Sequence, residues 1–291
     1  MKIRTTSEKI FDGVNVVLMV LVAIITLLPF WHVLVTSFLP YGDAIKNNLN
    51  ILPTRFDLSA YKFVLSNSSI MNGLYISILV TISATLYQLL ITTMCAYPLT
   101  KRDLPGRNIL LPLIIIPMFF SGGLIPYFIL IRKLGLVNNI AVLIIPAAIS
   151  TWNLIIMKEF IKSLGTELEE SAKIDGAGYF RILFQFIIPL SKPVLSAITL
   201  FIAVSIWNDW FTPILFINKR SLWPLSAVLQ DILVNTSSEM RRSFNTLKTN
   251  YVSSVQIKDA IIIVSIVPII IVYPFLQKYF AKGVMIGSIK G

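Results

Sequence analysis

The chain has 291 residues, of which 56% are hydrophobic and only 13% are charged, and its mean hydropathy is +0.79. Soluble domains carry roughly 25% charged residues, so this composition excludes an ordinary water-soluble domain and indicates a protein that is solvated by lipid. The formal charge of +11 does not indicate a nucleic-acid binder, because the basic residues lie between long apolar runs. That arrangement is typical of membrane flanks that contact anionic lipid.

Six apolar stretches approach or exceed the roughly 20 residues that a helix needs to cross the bilayer core. They are 14–38, 74–99, 109–131, 140–157, 182–217 and 260–277. We therefore predict an all-α membrane protein with six transmembrane helices and both termini on the same side. The first stretch is too long for a signal peptide and lacks a small-x-small cleavage site, so we expect an anchor. The fifth is too long for one span, and Pro189 and Pro193 predict an approach helix that turns into the span proper.

Lys and Arg favour the side of the termini only slightly, so their distribution is a weak guide to orientation. The longest polar segments, 41–72 and 218–258, lie on the opposite side in this arrangement. The sequence contains no tandem repeat and no separate soluble domain.

Residues 164–178 connect the fourth and fifth spans and read Leu-Gly-Thr-Glu-Leu-Glu-Glu-Ser-Ala-Lys-Ile-Asp-Gly-Ala-Gly. Thr166 and Glu169 have the spacing of a capping box, which predicts a helix that begins at Glu167. Gly176 predicts a left-handed stop at its end. The resulting helix of about nine residues, ~13 Å long, is too short and too charged to enter lipid. We expect it to lie on the membrane surface, where its small residues allow a partner to approach.

This segment resembles the cytoplasmic loop of binding-protein-dependent ABC importers. Their loop has the pattern Glu-Ala-Ala, three residues, Gly, nine residues and Ile-x-Leu-Pro. The matching residues here are Glu170-Ser171-Ala172, Gly176 and Phe186-Ile187-Ile188-Pro189, with mild departures at Ser171, Phe186 and Ile188. The run Trp207-Asn208-Asp209-Trp210-Phe211 and the C-terminal residues 277–291 resemble the carbohydrate branch of the family. The resemblance extends from about residue 74 to the C-terminus and is strongest to the second permease of maltose-type systems.

The resemblance implies the type I importer permease fold, with a first span and outer loop at 1–73 and a core domain at 74–291. The loop 164–189 would carry a cytoplasmic coupling helix that docks on a separate ATPase subunit. The residues implied in ATPase coupling are Glu169, Glu170, Ser171, Ala172, Asp175 and Gly176. The chain itself would bind no cofactor, because ATP and Mg would be used by the partner ATPase.

The same resemblance implies a multi-pass subunit of the bacterial cell membrane with both termini in the cytoplasm. It would form half of the translocation pore beside a second, different permease. Two ATPase subunits, an extracytoplasmic solute-binding protein, membrane lipid and an oligosaccharide are the other implied partners.

Asp209 is the only acidic residue within the six predicted spans, and buried charges in membranes are expensive and commonly functional. We predict a substrate path along Asn208, Asp209 and Trp210, with structural pairing or interface hydration near an aromatic belt as the alternative. The single histidine, His32, is expected to lack a second titratable partner, which argues against a catalytic role.

The outer segment 218–251 carries five basic and two acidic side chains. We predict that Arg241, Arg242 and Lys248 contact the binding protein. A basic rim also suits anionic lipid or an anionic substrate. The pattern from Trp207 to Pro224-Leu225 resembles permeases for complex oligosaccharides, some of which contain uronates. We therefore expect an oligosaccharide substrate, with an acidic chain as the specific case.

Two other classes of membrane protein compete with this interpretation. An intramembrane protease or lipid transferase needs catalytic groups within the bilayer, and an ion-coupled transporter needs intramembrane acids or interrupted helices. The chain has no G-x-x-x-x-G-K-[ST] phosphate loop, no Cys/His cluster for a metal and no residues matching a catalytic triad. We therefore predict a permease subunit, not an enzyme.

Overall fold

The computed structural model describes residues 6–40, 52, 55–234 and 254–288. Within these ranges the regular elements are helices. In chain order they are α1 (Thr6–Ser37), α2 (Ser59–Ser66), α3 (Ser68–Leu99), α4 (Arg107–Phe119), α5 (Leu124–Lys133), α6 (Thr151–Ser163), α7 (Glu167–Ile174), α8 (Tyr179–Leu190), α9 (Lys192–Asn208), α10 (Phe211–Phe216), α11 (Leu225–Val234) and α12 (Ser254–Ser288). Short 3-10 turns cover Ile140–Leu143 and Arg220–Leu222, and one π-turn, Leu183–Ile187, lies inside α8. The prediction of an all-α membrane protein is confirmed.

Three of the described helices are long and apolar enough to cross a membrane unaided. They contain the candidate spans Ser7–Ser37, Ser68–Leu99 and Val255–Phe275. Two further pairs of helices meet the same test only when taken together, and both pairs are bent. Among the described residues the spans therefore number three, or up to five when each bent pair is one span, and the predicted count of six is not confirmed.

The two bent pairs lie at the third and fifth predicted spans. The helices α4 and α5 meet at 117° across the break that contains Gly122 and Gly123. The helices α8 and α9 meet at 81°, with Ser191 between them. This bend confirms the prediction of an approach helix that turns between Pro189 and Pro193. Neither proline has the backbone N–H that would continue a straight helix.

The fourth predicted span, 140–157, is not one continuous helix. A 3-10 turn at Ile140–Leu143 is followed by irregular chain that contains Pro146, and α6 begins only at Thr151. Because proline lacks the backbone N–H that helix propagation requires, apolar length alone overestimated the helix here.

The chain divides into two compact units. The smaller unit comprises residues 1–71 and 231–266, and the larger unit comprises residues 72–230 and 267–291. The sequence-based division into 1–73 and 74–291 stays a prediction.

Polar contacts in the smaller unit join the C-terminal end of α1 to α2 and to the start of α12. Ser37 and Tyr61 form a hydroxyl–hydroxyl hydrogen bond of 2.7 Å, Thr36 donates to the carboxylate of Asp259, and Gln256 donates to the carbonyl of Leu39. Asp259 lies inside the candidate span Val255–Phe275, so Asp209 is not the only acidic residue within an apolar span. The last helix begins six residues before the predicted limit at 260, and it thereby includes Asp259.

Two apolar clusters hold the larger unit together at opposite ends of α3. One contains Ile76 and Val80 of α3 with Phe216 and Ile217. The other packs Ala96, Tyr97 and Leu99 against residues of α6, α7, α8 and α9. This second cluster supports the short helix α7.

Candidate functional site

The helix α7 has the predicted start and stop, but its N-terminal cap differs from the prediction. It begins at Glu167, and no side-chain cap hydrogen bond forms at Thr166. The predicted capping box is therefore wrong. Glu169 does not reach back to the backbone because its carboxylate pairs with Lys101 and with Lys173.

The C-terminal end of α7 follows the predicted glycine stop. Gly176 has a φ of +77°, a left-handed conformation in which glycine avoids the Cβ penalty. The Gly176 N–H donates to the carbonyl of Lys173, and the Ala177 N–H donates to the carbonyl of Ala172 at 2.9 Å. These two bonds form a Schellman motif. Gly165, just before the helix, also has a positive φ of +84°, so left-handed glycines flank α7 on both sides.

The six predicted coupling residues divide between two faces of this segment. Glu169 and Ala172 are buried, whereas the other four, Glu170, Ser171, Asp175 and Gly176, are exposed. Ile174 is 86% exposed, which leaves a large apolar side chain on an otherwise acidic surface. Ile174 was missed by the predictions from sequence. Leu164, Leu168 and Ala172 recur at a spacing of four, and an apolar residue outside that face was a usable signal.

The buried face of α7 is tied to the chain that follows α3. Lys101 lies two residues beyond the end of α3, its ammonium pairs with Glu169, and it stands 4.3 Å from the centre of the Tyr97 ring. Lys173 completes the group at 3.0 Å from the other carboxylate oxygen of Glu169. Burial, together with the nearby ammonium of Lys173, lowers the pKa of Lys101 to about 8. Sequence spacing indicates the Glu169–Lys173 pair but gives no signal for Lys101, which is 68 residues away from Glu169.

The predicted substrate-path residues lie where α9 ends and α10 begins. One carboxylate oxygen of Asp209, Oδ1, accepts hydrogen bonds of 3.1 Å from the backbone N–H groups of Phe211 and Thr212. Asp209 therefore caps the first turn of α10. Asn208 donates to the carbonyl of Val204 in its own helix at 2.8 Å, and Trp210 packs edge-on against Phe211. These contacts are all made within the chain itself, and the substrate path stays a prediction.

Asp209 also faces a cavity of about 210 Å³ in the larger unit. Its polar lining includes Gln88 and Thr81 of α3, Tyr127 of α5, and Ser205 and Thr212 beside Asp209. Neither Asn208 nor Trp210 is among the lining residues. The structure therefore places one of the three predicted residues at a cavity and the other two outside it.

The predicted binding-protein contacts, Arg241, Arg242 and Lys248, lie outside the described residues. Within the described part of the chain there is no group of three or more His, Cys, Asp or Glu side chains that could hold a metal ion. His32, expected to lack a titratable neighbour, interacts electrostatically with Asp259. That expectation was wrong because it considered each span alone, and the two helices meet in the smaller unit.

Comparison with known proteins gives a consistent assignment. Residues 88–286 match the family model described as binding-protein-dependent transport system inner membrane component. Protein LplC of Bacillus subtilis (strain 168) is 42% identical over 289 residues, which cover 99% of this chain and 97% of that protein. The polygalacturonan/rhamnogalacturonan transport system permease protein YtcP of the same organism is 39% identical over 285 residues, covering 98% and 99%.

A solved structure has the same fold over nearly the whole chain. It is that of a bacterial ABC transporter involved in the import of the acidic polysaccharide alginate, and its matching chain has a TM-score of 0.88 at 33% identity. The match covers 96% of this chain and all of that chain. Of these relatives, YtcP is named as a transport system permease protein, and this chain is a permease subunit and not an enzyme. The chain belongs to the binding-protein-dependent transport system inner membrane components and is a membrane-spanning permease subunit of an ABC importer.

Proposed function

We propose that this permease imports acidic, uronate-containing oligosaccharides and that α7 transmits the action of a separate ATPase to the pore. The observation that carries the coupling part is the exposed face of α7, fixed on the body of the larger unit by its opposite, buried face. A short helix held in this way moves with the helices beneath it and can respond to a partner that presses on its outer surface.

The exposed residues define the chemistry of this docking surface. Glu170, Ser171 and Asp175 offer acceptors for hydrogen bonds, and Ile174 offers an apolar contact. A groove with basic rims and an apolar floor would complement this surface. ATP and Mg act on the partner ATPase in this scheme, and the permease binds neither.

The substrate proposal is supported by two relatives. YtcP is named for polygalacturonan and rhamnogalacturonan transport, and the solved transporter is named for alginate import. Galacturonans and alginate are chains of uronates, so both names point to polyanionic sugars. The basic side chains of Arg241, Arg242 and Lys248 in the outer segment suit such a substrate or an acidic surface on its binding protein.

The assembly proposal is supported by the exposure of α1. In the part of the chain that the structure describes, the most apolar window of this helix has no buried residues, and lipid or another subunit would cover it. We expect a second, different permease beside it, two ATPase subunits and an extracytoplasmic binding protein. In this arrangement both termini and α7 lie in the cytoplasm of a bacterial cell.

The test is co-purification followed by an ATPase assay in reconstituted vesicles. The permease, expressed with its partner subunits and binding protein, should retain an ATPase in mild detergent. Oligogalacturonates should stimulate ATP hydrolysis more than malto-oligosaccharides do. Stimulation by malto-oligosaccharides alone would contradict the acidic substrate, and loss of the ATPase on purification would contradict the coupling role.

A matched pair of variants tests the docking surface itself. Glu170→Lys reverses an exposed charge on α7 and should reduce ATPase association, whereas Asp12→Lys makes the same change near the start of α1 and should not. Equal association of the two variants with the ATPase would exclude α7 as the docking surface.

A further inference from the structure

The cavity beside Asp209 combines apolar walls with a few convergent polar groups. Its volume is about 210 Å³, and it lies between α3, α5, α9 and α10. Small-molecule sites in proteins have this mixed lining, although sites for drug-sized ligands are larger, at roughly 300–1,000 Å³. The cavity is therefore sized for one small ring and not for an oligosaccharide.

Several polar atoms at this cavity have no partner among the described residues. Asp209 uses Oδ1 to cap α10, which leaves Oδ2 without a hydrogen bond. Gln88 is 8% exposed, and its amide nitrogen donates to the carbonyl of Ala147, which leaves the amide oxygen unused. The buried hydroxyl of Thr81 has no partner either. Buried polar groups in native proteins are nearly always satisfied, so the buried Thr81 hydroxyl indicates a ligand or ordered water. The two oxygens of Asp209 and Gln88 line the same cavity and are available as acceptors.

The unsatisfied groups select the chemistry of the ligand. A carboxylate oxygen and an amide oxygen are acceptors, and the hydroxyls of Ser205 and Thr212 can donate or accept. No Lys, Arg or His stands among the described lining residues. The cavity therefore favours a group that donates several hydrogen bonds, and it offers no countercharge to an anion.

The walls suit a ring that has an apolar face. Tyr127 lines the cavity, and its ring is held edge-on against Phe216 at 5.8 Å between ring centres. Phe216 in turn stacks on Phe128 at 5.5 Å. A tyrosine fixed in this manner presents an apolar surface together with a hydroxyl group.

We infer that the Asp209 cavity binds the hydroxyl-bearing edge of one sugar unit of the oligosaccharide, with the carboxylates of an acidic chain directed away from it. This inference rests on the proposed import function. Asp209 Oδ2 and the Gln88 amide oxygen accept from sugar hydroxyls, while Oδ1 keeps α10 in place. The site recognises hydroxyl groups, which neutral and acidic sugars share. Selection for the charge of the substrate therefore takes place elsewhere in the importer.

Cysteine protection in the assembled importer tests this site without depending on transport. Cys95 is first replaced by Ser, so that Ser205→Cys supplies the sole cysteine of the permease, and its alkylation by a maleimide is followed in vesicles. Trigalacturonate and its fully methyl-esterified form are the probes, since they share hydroxyls and differ in charge. We expect each to slow alkylation at least fivefold, with the ester as effective as the acid or more so.

Two controls accompany this measurement. Asn208→Cys lies on the same helix, is exposed and does not line the cavity, so its alkylation should be unaffected by either sugar. Adding Asp209→Asn keeps the cap, because Asn caps helices as well as Asp does, but removes the charged acceptor. It should raise the sugar concentration needed for protection about tenfold, as expected for a hydrogen bond to a charged group.

The outcomes separate this inference from the proposed function. If sugar stimulates ATP hydrolysis but protects neither Ser205→Cys nor Thr212→Cys from alkylation, the sugar does not bind in the Asp209 cavity. The importer assignment would still stand. Protection by Na⁺ or K⁺ instead of sugar would assign the cavity to a cation. If the free acid protects at a tenfold lower concentration than the ester does, the cavity binds the carboxylates of the sugar and not only its hydroxyls. Absence of both protection and stimulation would reject the substrate class itself.

Discussion

Gly176 ends α7 in a backbone conformation that other residues adopt only at a cost. The obstacle to a side chain at this position is the φ of +77° and not lack of space, since an added Cβ would meet no atom within 4 Å. Gly176→Ala should therefore weaken the end of α7 by about 1–2 kcal/mol and reduce substrate-stimulated ATP hydrolysis. Gly178→Ala is the matched control, because Gly178 has an equally open environment but a φ of −74°. An equal loss of stimulation in the two variants would show that conformation at Gly176 is not what matters.

Lys101 gives the contact beneath α7 a dependence on pH. Its pKa of about 8 means that the ammonium is present below pH 8 and is lost as the pH rises toward 9. Its attraction to the Glu169 carboxylate disappears with the charge. We expect the number of sugars transported per ATP hydrolysed to fall between pH 7 and pH 9 as this contact weakens.

The control for this prediction is Lys101→Arg, which keeps its charge throughout this range because the arginine pKa exceeds 12. The ratio of transport to hydrolysis should then change less with pH, even where hydrolysis alone varies. Superimposable pH profiles of that ratio in the parent and the variant would exclude Lys101 as the titrating group.

At the scale of elements, the sequence predicted local features better than contacts between distant segments. Pro189 and Pro193 predicted the bend between α8 and α9, and Gly176 predicted the end of α7, because each acts through its own backbone. The inward position of Glu169 depends on Lys101, which sequence spacing does not connect to α7. Asp259 was missed for a related reason, since hydropathy places the start of α12 after it, whereas contacts with α1 extend the helix.

The contact between α1 and α12 carries a prediction of its own. Thr36 is buried and donates to the carboxylate of Asp259, so Thr36→Val leaves a half-buried charge with one partner fewer. Hydrogen bonds to charged groups contribute about 1.5–3 kcal/mol. We expect a lower melting temperature of the purified complex, measured by size-exclusion chromatography after heating.

Thr26→Val is the matched control in the same helix. The hydroxyl of Thr26 is exposed, and within the described ranges its hydrogen bonds go only to the carbonyls of Val22 and Ala23, at 2.8 and 3.0 Å. Its loss should leave the melting temperature nearly unchanged. If Thr26→Val lowers the temperature as much as Thr36→Val does, the contact with Asp259 does not stabilise the protein.

At the scale of the whole molecule, composition and one loop motif were sufficient for the family, but apolar length was not sufficient for the spans. The stretch 140–157 is apolar enough to cross the bilayer, yet Pro146 and the late start of α6 at Thr151 leave it irregular in its first half. Breaks of this kind are tolerated at membrane depth only where protein or a water-filled cavity surrounds the backbone. Pro146 and Ala147 indeed line the Asp209 cavity, so the irregular segment and the candidate sugar site are parts of the same region.

The membrane placement of α1 gives the last prediction. Val20 lies near the middle of the candidate span Ser7–Ser37 and is half exposed, and Phe11 lies near one end and is 70% exposed. Arginine at the centre of a transmembrane helix costs about 2.5–3.5 kcal/mol of insertion free energy, whereas near an end its side chain reaches the head groups. Val20→Arg should therefore increase the fraction of permease extracted from membranes at alkaline pH, and Phe11→Arg should not. If both variants are retained equally, α1 does not lie across the bilayer with its exposed surface in lipid.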